Sequence, residues 1–228
     1  MDLSFGVIYV NFGNNAAKCA QDSIDSLFKV EPHLPVLNIG DRELSGSAFI
    51  KWSGRSPFKE GNIAGRFYCG EVKPLVYILS PFEKTLYLDA DTLFCKSPMP
   101  GFDRLEEDEF LVWQDGPIAV LGEDKFVRRY GYSKECVLDT IAMNGSDPGI
   151  SSARVFFFRK CLPVARLFSD WYAEYTRYQC FDDQIPMVKA LCMNKNVKVG
   201  RLSEEWNTNQ EIQGKIIHHN IGTQAARD

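Results

Sequence analysis

Apolar residues along this chain gather in two kinds of stretch. The first is the short, nearly continuous run. Phe5-Gly6-Val7-Ile8-Tyr9-Val10 is one, and it predicts a strand buried on both faces, as in a parallel sheet. Leu34-Pro35-Val36-Leu37-Asn38-Ile39 and Lys84-Thr85-Leu86-Tyr87-Leu88 read the same way, and further strands are predicted over 110–113, 155–158, 197–200 and 215–218. The second kind repeats with the helical period. Ala17, Ala20, Ile24, Leu27 and Phe28 share one face, as do Val164, Leu167, Phe168, Trp171 and Tyr175 within a helix predicted over 163–178. A shorter helix is predicted over 73–79, where Pro74 suits the first turn because its missing N–H would be unpaired there anyway. Strand, helix and strand in succession form a βαβ unit, so the pattern predicts an α/β fold. Residues 40–65 are rich in Gly, Ser and charge and long for a plain loop, so they are expected to be functional or to hold short elements. Neither an internal repeat nor a linker is visible, and 1–228 reads as a single domain.

Composition narrows the class of partner. Lys plus Arg is 26 against 30 Asp plus Glu, which lacks the basic excess of a nucleic-acid binder. Cys19, Cys69, Cys95, Cys136, Cys161, Cys180 and Cys192 are odd in number and contain no C-x-x-C pair. They predict thiols in a reducing compartment rather than a disulfide framework or zinc site. The start, Met1-Asp2-Leu3-Ser4-Phe5, lacks the basic and apolar regions of a signal peptide, and no apolar run is long enough for a membrane span. The expectation is a cytoplasmic protein without a transmembrane segment.

The chemistry is concentrated where the third strand ends, at Asp89-Ala90-Asp91. In open α/β sheets ligands bind beyond the carboxyl ends of the strands. Alternate residues of an extended chain point to the same side, so both carboxylates can face one cation. Two such charges repel unless something positive lies between them. A divalent metal with a preference for oxygen, Mg²⁺ or Mn²⁺, answers that need.

These residues also carry a family resemblance. Lys73-Pro74-Leu75, followed by Lys84-Thr85-Leu86-Tyr87-Leu88-Asp89-Ala90-Asp91, resembles the D-x-D region of GT-A-fold glycosyltransferases, closest to family 8, the glycogenin and lipopolysaccharide galactosyltransferase relatives. Three further segments follow in the family's order. Ile150-Ser151-Ser152-Ala153-Arg154-Val155-Phe156 resembles F-N-S/A-G-V-M-L, with Ser151 in place of Asn and Ala153 in place of Gly. Asp183-Gln184 resembles the start of D-Q-D-x-L-N, with Ile185 in place of the second Asp; an Asp there also suits a helix N-cap. Ile216-Ile217-His218-His219-Asn220-Ile221-Gly222 resembles I-I-H-x-x-G, whose spacing selects His219, with His218 beside it as the alternative. Trp206-Asn207 is similar to a W-N pair near the end of such domains, and a core tryptophan is the simpler reading.

The resemblance implies a GT-A fold, a Rossmann-like domain with a central, mostly parallel sheet flanked by helices. It implies a glycosyltransferase acting with retention on a nucleotide-sugar donor, a UDP-sugar above all, and a sugar, glycan or protein acceptor. Asp89, Asp91 and His219 would hold Mn²⁺, with Mg²⁺ possible; an imidazole ligand favours Mn²⁺. Lys73 would meet the donor sugar or its phosphates, Asp183 the sugar hydroxyls, and Gln184 would lie beneath the anomeric carbon. Ser151 would line the acceptor side. Ala90 and Gly222 complete the donor site, and Tyr9, Asn11 and Asn14 lie where the fold binds base and ribose. The family's phosphate-binding Lys is replaced by Ala225, which leaves Arg227 as its substitute. The chain ends at Asp228 without the basic, aromatic tail of lipid-acting relatives. A nucleotidyltransferase is the alternative enzyme, but the loop Phe12-Gly13-Asn14-Asn15 has no Arg. A GT-A-like domain that binds nucleotide sugar without turnover is the non-enzymatic one. P-loop, dinucleotide-binding and G-x-S-x-G signatures are missing.

Overall fold

The computed structural model describes residues 3–53, 70–117, 134–143, 149–178, 183–208, 210 and 212–219, with the backbone alone for 115–117, 150 and 219. The chain opens with β1 (Phe5–Asn11), α1 (Asn14–Val30), β2 (Val36–Gly40) and β3 (Ala48–Lys51). A 3-10 turn, Lys73–Leu75, leads into α2 (Val76–Leu79), β4 (Lys84–Leu88), β5 (Thr92–Phe94) and α3 (Met99–Arg104). Then come β6 (Phe110–Pro117), α4 (Lys134–Ala142), β7 (Gly149–Arg159), α5 (Leu162–Tyr178), α6 (Gln184–Met193), β8 (Val199–Leu202) and β9 (Ile217–His219).

Seven strands form one sheet in the order β3-β2-β1-β4-β7-β6-β8. Only β7 runs against the rest, pairing antiparallel with both β4 and β6. Strands buried on both faces divide their side chains between two cores. From β1 and β4, Ile8, Val10 and Tyr87 meet α5 through Leu167, Phe168 and Trp171. Val7, Tyr9, Leu86 and Leu88 meet α1 through Ala20, Ile24 and Leu27. Tyr87 stacks on Phe156 with ring centroids 4.6 Å apart, and Trp171 meets Phe156 edge-on at 5.7 Å. Burying each such side chain contributes about 1.5–3 kcal/mol. Among the described residues no helix is long and apolar enough to cross a membrane.

Because β1, β2 and β4 are mutually parallel, their carboxyl ends share one edge. The register sets Asn11 against Gly40 and Tyr9 against Leu88. The antiparallel β7 delivers its first half to the same edge, where Asp89 N–H donates to Arg154 O at 2.8 Å. A second, two-stranded sheet pairs β5 with β9. Gly40 allows β2 to come this close to β1: a Cβ on it would lie 2.0 Å from the Asn11 carbonyl oxygen. Gly40→Ala is therefore expected to lower stability by about 2–3 kcal/mol, read by urea unfolding, as a backbone clash has no side chain to yield.

The 40–65 segment does hold a short element, as expected: β3, a half-exposed edge strand without clear alternation; residues 54–69 lie outside the described residues. Several elements differ from expectation. Helix α3 and helix α4 were not predicted. Ser151 and Ser152 lie within β7, which starts at Gly149 and carries register shifts against β6 there. The 73–79 helix begins as a 3-10 turn.

Candidate functional site

The Asp89-Ala90-Asp91 turn is built from hydroxyls. Thr92 Oγ1 donates to the Asp89 carbonyl at 2.9 Å. A carbonyl can only accept, so the contacts behind it are oriented. Ser23 Oγ, 3.2 Å from Thr92 Oγ1, donates to it, and Tyr9 OH, 2.8 Å from Ser23, donates in turn. All three hydroxyl residues are fully buried. The turn is thus pinned to α1 and β1, while its acidic residues stay half-buried.

Asp89 faces the helix side. Its Oδ1 accepts from Tyr87 OH at 3.0 Å and lies 3.0 Å from Lys73 Nζ. Lys73 is itself buried, 7% exposed, and the same ammonium lies 3.4 Å from Asp183 Oδ2. Asp183 occupies the N-cap position of α6 but makes no side-chain cap bond, so its carboxylate is not spent on the helix. Its carbonyl accepts from Trp171 Nε1 at 2.8 Å, which fixes the start of α6 against α5. Three sequence-predicted residues, Lys73, Asp89 and Asp183, are therefore one cluster. With Asp91, the four side chains balance at two negative charges. Asp91 also reaches toward α1: burial first, and then the Asp91 charge, push the Cys19 thiol above its ordinary range. Gln184 follows Asp183 as the first residue of α6 and is half-buried.

The histidines arrive by strand pairing. β9 lies antiparallel to β5, with Thr92 opposite His219 and Leu93 opposite His218. The backbone of His219 is thus set opposite Thr92, next to the D-x-D turn; its side chain lies outside the described residues. His218 Nδ1 is 3.3 Å from Lys215 Nζ. Among the described residues there is no group of three or more His, Cys, Asp or Glu side chains arranged to hold a metal. Gly222, Ala225 and Arg227 lie outside the described residues.

On the β1–β2 side, Asn11 is fully buried and its Nδ2 donates to Asn38 Oδ1. Asn14, exposed at the start of α1, accepts from Arg42. Arg42 also donates to Asp41 at 3.1 and 3.2 Å, and the Gly13 N–H donates to Asp41 at 3.1 Å. The hydrogen bonds from Arg42 hold the Asp41 carboxyl below its usual range. Tyr9 needs correction. Its ring has no exposed surface, its hydroxyl serves Ser23, and burial holds its phenol well above the ordinary range. It has no ring face to offer a base; Phe12, half-buried, is the aromatic at this strand end. Ser151 is buried in β7 and accepts from Gln114 Nε2 at 3.4 Å. Trp206 is a core residue, edge-on to Phe157 at 5.2 Å, while Asn207 Nδ2 donates to Ser152 Oγ at 3.3 Å.

Sequence reasoning missed Tyr87, Thr92, Asn38 and Arg42. Tyr87 was within reach, since it stands two residues before Asp89 on the same side of an extended strand. Asn38 stood out as an amide inside an apolar run. Thr92 and Arg42 carried no such signal.

The strand order, the single reversed strand and the acidic turn after β4 define the GT-A architecture. Solved structures bear this out. The chain is similar to the apo bifunctional glycosyltransferase WbbM, with 15% identity and a TM-score of 0.60 over 91% of this chain, though it spans only 40% of that protein. It is similar to apo mouse xyloside xylosyltransferase 1, with 11% identity and a TM-score of 0.60 over 96% of this chain and 98% of the other. The galactosyltransferase LgtC, in complex with donor and acceptor sugar analogues, matches with 12% identity and a TM-score of 0.61 over 96% of this chain and 87% of the other. An active-site mutant of LgtC, glutamine to glutamate, matches with 13% identity and a TM-score of 0.60 over 95% and 87%. At these identities the likeness is one of fold. No protein-family model matches the chain, and no curated protein matches its sequence.

Proposed function

We propose that this protein is a retaining glycosyltransferase that moves a sugar from a UDP-sugar to the hydroxyl of a sugar, glycan or protein acceptor. The observation that carries the reading is the Lys73 ammonium set between Asp89 and Asp183 at the carboxyl edge of the sheet. In one LgtC structure donor and acceptor sugar analogues are bound, and the mutant structure places a glutamine in the active site of that enzyme. Asp183 and Gln184 begin α6 here, so a sugar over this cluster would meet both.

Asp89, Asp91 and His219 would hold Mn²⁺. When bound, such an ion acts as a Lewis acid on the departing diphosphate. The chain's own residues do the rest. Lys73 places a fixed positive charge where the donor's negative charge gathers. Asp183, held by Trp171 and Lys73, accepts from sugar hydroxyls and orients the anomeric carbon. Asn14, exposed at the start of α1, would meet the ribose; Asn11 would meet the base through its unpaired Oδ1, and Ser151, buried in β7, would stand behind the acceptor side. The acceptor oxygen bonds to the anomeric carbon as the bond to the diphosphate oxygen breaks, and the acceptor proton passes to that leaving oxygen. Gln184 is too weak a nucleophile to form a covalent intermediate, so the attack comes from the face the diphosphate leaves. Cys19, Cys95, Cys136, Cys161 and Cys192 form no disulfide among the described residues.

Thermal unfolding with a panel of UDP-, GDP- and CMP-sugars tests this. A UDP-sugar at 100 times its Kd adds about 2.7 kcal/mol. For a chain of this size that raises Tm by roughly 5–10 °C. The rise is expected with Mn²⁺ and not with chelator. A panel that produces no rise would remove the reading.

A further inference from the structure

The two buried amides at the strand ends are oriented by a backbone carbonyl. Asn38 Nδ2 donates to Arg42 O at 2.8 Å. Since that carbonyl can only accept, the Asn38 side chain cannot be turned over without losing the bond. Asn38 must therefore present Oδ1 to its other neighbour, and that neighbour is Asn11 Nδ2. The choice passes along the pair: with Nδ2 given to Asn38, Asn11 is left with Oδ1 to be paired. Asn11 Oδ1 is buried and has no hydrogen-bond partner. Both residues are fully buried, where a polar atom normally finds a partner. An unpaired, desolvated acceptor at the carboxyl end of β1 calls for a donor from a ligand.

We propose that Asn38 is a positioning residue that sets which nucleobase the site accepts, by locking Asn11 with its acceptor toward the ligand. This rests on the nucleotide-sugar reading above. An acceptor there pairs with the N3–H of uracil. Cytosine, of almost the same shape, has a bare acceptor at N3 and would face Oδ1 with a lone pair. The preference for a uridine nucleotide would then come from a residue that never touches it. The loop after Asn11 is fastened on its outer side by exposed contacts, Gly13 N–H to Asp41 at 3.1 Å and Arg42 to Asn14, and a base reaches Oδ1 as that loop yields.

The test is calorimetric binding of UDP, CDP and N3-methyl-UDP in Mn²⁺ to the native chain, Asn38→Leu and Asn38→Asp. The native chain is expected to bind UDP roughly 10- to 100-fold more tightly than either analogue, the range for one buried group left unpaired. Asn38→Leu releases the Asn11 amide to turn over, and the preference should shrink to about threefold or less. Asn38→Asp still accepts from Asn11 Nδ2 and should keep it. A structural role alone would weaken all three ligands together and leave the ratio unchanged. An unchanged ratio in Asn38→Leu, or equal binding of UDP and N3-methyl-UDP by the native chain, overturns the proposal while leaving the donor site standing. If Asn38→Leu does not fold, the methylated ligand and Asn38→Asp decide. A native chain that binds none of the three overturns both readings.

Discussion

Lys73→Met is expected to unfold about 3 kcal/mol more easily than the native chain when both are kept in chelator. The substitution preserves the apolar stem and removes only the ammonium. Without it, Asp89 and Asp183 remain in one cluster with no positive charge between them. Breaking a buried ion pair by removing one partner typically costs about 3–5 kcal/mol, because the other charge stays desolvated. The low end applies here, since a quarter of the Asp89 side chain reaches water and can be rehydrated, whereas 8% of Asp183 does. An exposed lysine at a helix start would change stability by about 0.5 kcal/mol or less, so the measurement separates the two roles. Mn²⁺ should restore part of the loss in Lys73→Met, because an ion at the D-x-D turn supplies charge that the lysine no longer does. Urea unfolding with and without Mn²⁺ reads both effects. A loss under about 1 kcal/mol would show that the ammonium is not what holds the three residues together.

How far this site could be read without coordinates depended on how local each signal was. The β4 strand and its acidic turn were legible because an apolar run stops abruptly at two carboxylates. The helix α5 was legible because its apolar face repeats with the right period. Helix α6 hides that period, since Ile185 to Ala190 are all buried. Lys73, Asp89 and Asp183 could each be named, yet their meeting at one ammonium depends on α5 and α6 packing across β4 and β7, with lysine and Asp183 110 positions apart. Tyr9 shows the reverse error. The continuous apolar run that announced β1 as buried on both faces already implied that Tyr9 was enclosed, and its hydroxyl went to Ser23. The approach of His219 to the D-x-D turn depended on β5 and β9, two strands of three residues each, too short to carry a pattern. Asn38 could be seen as out of place in its strand; its orientation could not, because that is set by the carbonyl of a residue in the following turn.

Asp91→Asn is expected to lower sugar transfer, or donor hydrolysis without acceptor, by about a hundred- to a thousandfold, as loss of several kcal/mol of charge stabilisation requires. Asparagine keeps the shape and one oxygen but not the charge. The acidic turn, taken with Lys73 and Asp183, would then carry one negative charge instead of two, which weakens its hold on a divalent ion. The same loss of repulsion makes the stability prediction run the other way. In chelator, Asp91→Asn should melt at or above the native temperature, whereas Lys73→Met melts below it. Both should lose activity. Two variants with opposite effects on the fold and the same effect on turnover cannot be explained by a common loss of structure. The Mn²⁺-dependent rise in Tm with UDP-sugar should vanish in Asp91→Asn even where the melting curve in chelator is intact. Full Mn²⁺-dependent turnover in Asp91→Asn would show that the ion is held elsewhere. In that case Asp89, already engaged by Tyr87 and Lys73, would belong to the sugar-orienting cluster alone.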